Sequence, residues 1–134
     1  MKNVPFRILF ALIALLVAAL ACEFSASTAN IASAYLTTDP KSNTQTTVFA
    51  PGDVFYCIVD LKNAPDDTQV KAVWTAVQAE GIDPNYYLYE TSLTTGDGTL
   101  TFQLSNDYLW PAGRYKVDLY LNDKLDRTLE FEVQ

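Results

Sequence analysis

The chain has 134 residues, no histidine, and 16 acidic against 9 basic residues, for a net charge of −7. Without histidine, Ser-His-Asp and Cys-His nucleophilic arrangements are excluded, and most transition-metal sites lose their commonest ligand. The acidic balance is wrong for nucleic acid, because binding phosphates needs clustered Lys and Arg.

The chain opens with two cations, Lys2 and Arg7, followed by an unbroken apolar stretch from Ile8 to Ala21. As a helix that stretch rises about 21 Å, short of the roughly 30 Å of a hydrocarbon core. A basic start, a short apolar run and the ending Ala19-Leu20-Ala21 predict a cleaved signal peptide over 1–21. Cleavage removes both cations and leaves a still more acidic chain. The residues around the cut, Ala19-Leu20-Ala21-Cys22, resemble the lipobox of bacterial lipoproteins. That resemblance implies acylation of Cys22, which becomes the mature N-terminus. The match departs from the commonest pattern, in which Leu stands where Ala19 does. The same residues also satisfy ordinary signal-peptidase cleavage, which would release a soluble secreted protein. Anionic lipid repels an acidic domain, so attachment to a membrane would come through the anchor on Cys22. Acylation of Cys22 leaves Cys57 without a partner in the chain, and a lone buried cysteine acts as a small apolar residue.

Residues 22–29 are small and polar apart from Phe24, and read as a flexible tether. Extended, they reach under roughly 30 Å. From residue 30 to 134 the pattern is strand, turn, strand. Ile31 to Thr37 is short and β-prone, and Thr46 to Phe49 is closed by Pro51-Gly52. Val54 to Leu61 is nearly continuously apolar, as in a core strand, and Val70 to Val77 surrounds Trp74. Tyr86 to Leu93 is aromatic and β-prone, and Thr95-Gly96-Asp97-Gly98 reads as a hairpin turn. Leu100, Phe102 and Leu104 then alternate with polar residues. So do Tyr115, Val117, Leu119 and Leu121, and finally Leu129, Phe131 and Val133. Asn122-Asp123 turns the chain between the last two. Period-two alternation with Gly, Pro and Asn turns, and no 3.6 period, predicts an all-β sandwich or barrel of about seven to eight strands.

Three positions resemble immunoglobulin-like domains. Cys57 lies where that family places its first core cysteine, and Trp74 lies in the following strand, where the family packs its core tryptophan. Gly113-Arg114-Tyr115-Lys116-Val117 resembles the tyrosine corner. The second cysteine position is Val117, so the resemblance implies an immunoglobulin-like Greek-key sandwich in which an apolar Cys57/Val117 pair replaces the inter-sheet disulfide and Trp74 packs over it. The Tyr115 hydroxyl is expected to bond backbone. The stretch from Trp110 to Tyr115 also resembles ligand-free interaction domains of exported bacterial proteins.

No Gly-x-Ser-x-Gly, phosphate-binding loop, dinucleotide fingerprint or Asp-x-Asp-x-Asp-Gly calcium loop is present, so no enzyme and no cofactor or metal is expected. The acids fall in turns or on outward strand faces, where solvation accounts for them. The aromatics are the remaining candidates. Tyr86, Tyr87 and Tyr89 share one segment, and Tyr108 and Trp110 share a loop. They could cover core and loop ends, or form an exposed platform, since interfaces favour Tyr and Trp. Tyr86 and Tyr87 point to opposite faces of a strand, so both cannot lie in one interior. The reading is a non-catalytic lipoprotein on the outer face of a bacterial membrane, binding a protein partner or acting structurally. A carbohydrate-binding module is one alternative. A small protease inhibitor with a protruding loop at 79–86 or 105–112 is another.

Overall fold

The structure, a computed structural model, describes residues 28–134. The expected signal peptide over 1–21, Cys22 and most of the expected tether lie outside the described residues. Eight strands follow in chain order: β1 (Asn30–Thr37), β2 (Val48–Phe49), β3 (Phe55–Lys62), β4 (Thr68–Ala79), β5 (Tyr86–Thr95), β6 (Gly98–Leu104), β7 (Gly113–Leu121) and β8 (Lys124–Val133). They form a three-stranded sheet in the order β1-β3-β6 and a five-stranded sheet in the order β2-β8-β7-β4-β5. All pairings are antiparallel except β2 with β8.

Alternation decides which side chains meet between the sheets. In β4, Val70, Ala72, Trp74 and Ala76 are buried, and in β7 so are Tyr115, Val117 and Leu119. The facing sheet contributes Phe55, Cys57, Val59 and Leu61 from β3, with Phe102 and Leu104 from β6. Cys57 and Val117 thus lie on opposite sheets of one core, as the resemblance implied, and both are fully buried. Phe55 is the aromatic hub: it stacks on Trp110 at 4.6 Å and meets Phe131 edge-on at 4.8 Å. Such pairs add stabilisation beyond their buried area.

The expected turns mostly form. Asn122 and Asp123 both take positive φ, which a two-residue hairpin of the right twist requires, and Asn122 is further pinned by Gln69, whose N–H donates to its side-chain oxygen at 3.0 Å. One turn differs. Thr95-Gly96-Asp97-Gly98 does not close a hairpin, because β5 and β6 belong to different sheets. The segment instead carries the chain across the sandwich, and Asp97 holds it by accepting the Ala64 N–H at 2.6 Å. Local turn chemistry is the same for a ladder and a crossover, so only the tertiary pairing separates them.

The strand directions give the sandwich two distinct ends. The chain enters β1 at Asn30, opposite Lys62, where Thr28 donates to the Asn63 carbonyl at 2.9 Å. This first end also holds the β5–β6 crossover and the Asn122-Asp123 turn. The second end holds the loops 38–47, 50–54, 80–85 and 105–112, and the C-terminal Gln134.

Candidate functional site

The second end is built around Trp110. Its backbone N–H donates to the Pro51 carbonyl at 2.8 Å, and its indole N–H donates to the Asp53 carbonyl at 3.0 Å. Its ring stacks on Phe55. Trp110 is therefore 7% exposed and does not belong to an exposed platform. Its sequence context, a Trp before Pro-Ala-Gly in a polar loop, suits either role. The stacking on Phe55 across the core is what selects burial.

With that side chain fixed, the residues just before it project. Tyr108 is 83% exposed and Leu109 is 72% exposed. Sequence reasoning singled out Tyr108 and missed Leu109. The available signal was position: Leu109 stands between a solvated Asn106-Asp107 pair and a tryptophan that cannot share its direction. The base of the loop is rigid on the other side as well. Pro111 accepts the Tyr115 hydroxyl at 2.6 Å, which completes the expected tyrosine corner, and burial raises the pKa of that phenol. Ala112 accepts the Glu80 N–H at 3.0 Å, joining the 105–112 loop to the 80–85 loop. The two loops considered as protruding candidates are thus one connected surface.

Tyr86, Tyr87 and Tyr89 are each roughly half exposed at the start of β5, which leads out of that same surface. Register places them on both faces of the strand. Tyr89 lies opposite Trp74 and Tyr86 opposite Ala76, both core residues, whereas Tyr87 lies opposite Thr75 on the outer face. Its hydroxyl donates to Glu90 at 3.3 Å. A bulge at Leu88 accounts for two tyrosines of opposite parity facing the same way. The five sequence candidates therefore divide. Tyr86 and Tyr108 belong to the second end, Tyr87 and Tyr89 flank β5 below it, and Trp110 is internal.

Elsewhere the chemistry is sparse. Among the described residues no group of Cys, Asp and Glu is placed to hold a metal ion. Asp118 departs from the solvated role expected of the acids. It is largely buried on the outer face of β7, accepting from the Thr128 hydroxyl and pairing with Lys116 at 3.3 Å. Cys57 is enclosed, and burial pushes its thiol up to about 12, partly opposed by Arg127. The thiol is the inert, protonated form. We expect no labelling of Cys57 by iodoacetamide in the native protein at pH 8 and complete labelling in denaturant. Because the folded pKa is raised, the stability this thiol contributes is whole below about pH 9 and falls as pH rises from there towards 12. Native-state labelling at a rate close to the denatured one would contradict both statements.

No protein-family model and no curated protein matches the chain by sequence. Solved structures do. An immunoglobulin-like protein from Pseudomonas aeruginosa superposes with a TM-score of 0.54 at 13% identity, covering 79% of this chain and 96% of that one. The fold is immunoglobulin-like. Two further matches are parts of larger proteins. The alkylpurine DNA glycosylase AlkC of Pseudomonas fluorescens, bound to DNA with an abasic-site analogue, has a TM-score of 0.53 at 18% identity over 82% of this chain. A β-glucosidase of saponin metabolism from intestinal bacteria has a TM-score of 0.52 at 13% identity over 81%. This chain spans only 31% and 16% of those two proteins. At such identities the likeness is one of fold, and fold does not carry activity.

Proposed function

We propose that the chain is an exported, lipid-anchored, non-catalytic module that binds a protein partner through the end of the sandwich opposite its N-terminus. The observation that supports this most is polarity. The chain enters the fold beside Asn63, while Tyr86, Tyr108 and Leu109 project from the other end. A short tether from Cys22 would hold the first end towards the membrane and leave the second end facing outward. The projecting residues sit on a loop already locked by Trp110 and Tyr115, so binding through them costs little ordering entropy.

Two measurements test the reading. Intact-mass spectrometry of the protein from its host should give residues 22–134 plus acyl chains, and the unmodified mass would remove the anchor. A photo-crosslinking residue at Tyr108 should yield a discrete protein adduct in the intact envelope, and one at Lys124, on the first end, should not. Equal adducts at both positions, or none at either, would remove the binding end. An adduct with glycan alone would replace the protein partner by a carbohydrate.

A further inference from the structure

We infer that β5 is a self-association edge, through which two copies join antiparallel into one continuous sheet. The inference is independent of the lipid anchor and of the loop surface. β5 ends the five-stranded sheet and pairs only with β4. Its ten residues hold no Lys, Arg or Pro, and Glu90 is the only charge, in a chain that is acidic throughout. Natural edges are ordinarily blunted by those residues, because a free row of N–H and C=O groups is a template for another strand. The blunting features are Glu90 and the bulge at Leu88, and the bulge leaves 89–95 regular.

β5 also overhangs the smaller sheet. Tyr89, Thr91 and Leu93 lie opposite Trp74, Ala72 and Val70 and so face inward. With β6 they line an open groove of about 430 Å3 that has Phe102 and Leu104 in its wall and no charged side chain. An uncharged, partly apolar row beside an unpaired edge is what a second copy would cover.

Symmetry restricts the register. In an antiparallel pair, residues directly opposite point to the same side. A two-fold axis perpendicular to the sheet therefore makes one residue face its own copy. Centring on Glu90 would put two carboxylates together, which is destabilising. Centring on Thr91 puts Tyr89 opposite Leu93 of the second copy and Glu90 opposite Ser92. The inward row then reads large-small-large against large-small-large, and the two carboxylates are not directly opposed. The two-fold reverses the strand direction, so the first ends of the two copies point opposite ways, and copies anchored on one membrane join like this only with the sheet lying along the membrane.

The interface is small, at the low end of specific associations, so a micromolar dissociation constant is expected. Sedimentation equilibrium of the exported protein, in density-matched detergent if it is acylated, should show a dimer within about 1 µM to 1 mM. Thr91→Lys should abolish it while the circular dichroism spectrum and melting temperature stay unchanged. Thr91→Cys should form a disulfide joining position 91 of two copies under air oxidation, identified by peptide mapping, whereas Ser92→Cys should not join position 92. The cysteine pair decides the matter if the lysine variant fails to fold. A monomer across the whole range, a dimer that survives Thr91→Lys in a folded variant, or linkage at 92 as ready as at 91 would each overturn the inference.

Discussion

Replacing Trp74 with alanine is expected to destabilise the domain by about 3–5 kcal/mol, a large share of the 5–15 kcal/mol that holds an ordinary domain together. The reason is position as much as size. Trp74 is fully buried in β4, beside Val117 of β7 in the same sheet, and its ring meets Phe55 at 6.2 Å and Phe131 at 6.0 Å. Removing it leaves a cavity bordered by two central strands that cannot close in without breaking their ladder. The indole N–H has no acceptor among the described residues, so it adds nothing to that cost. Trp74→Phe should therefore lose roughly half as much, since it keeps a ring and discards an unpaired buried donor. Urea denaturation of the three proteins reads both effects. An unchanged midpoint for the alanine variant would show that Trp74 is not what fills the core.

Gly113→Ala should cost about 3 kcal/mol, although it adds a single methyl. Gly113 opens β7 at φ +154°, and a Cβ there would clash with the Gln78 carbonyl oxygen and stand 2.5 Å from the Ala79 Cα. Those atoms are the backbone of β4, so relief means parting the central strand pair just before the tyrosine corner. Gly81 is the useful contrast. It has φ +74° but open space around its Cβ position, so Gly81→Ala should cost only about 1 kcal/mol, from backbone strain alone. Thermal melts of the two variants separate the causes. Equal losses would mean that φ, and not the approach of β4, governs Gly113.

Most of the fold was legible because period-two alternation reports burial directly. The rows Tyr115-Val117-Leu119 and Phe102-Leu104 are buried as their spacing required, and the Trp74 and Tyr115 positions carried the immunoglobulin-like expectation. The candidate surface was legible only in part. Alternation sorts a strand's residues by face but cannot tell whether anything covers that face. Tyr89 has the parity of a core residue and is half exposed because the three-stranded sheet stops short of it. Trp110, in a loop, has no parity to read, and its burial depends on Phe55, more than fifty residues earlier in the chain.

The sequence by itself determined the class of fold, its core, and the lack of histidine-based chemistry, because each depends on residue type and short-range spacing. It also supplied the export and lipid-anchor expectation, which lies outside the described residues. Only the tertiary structure decided that the 95–98 turn crosses between sheets, that Trp110 is internal while Tyr108 and Leu109 project, and that β5 is left as a free, overhanging edge. Those outcomes depend on how many strands each sheet holds and which aromatic ring stacks on which. They are set by contacts between residues distant in the chain, where local spacing carries no information.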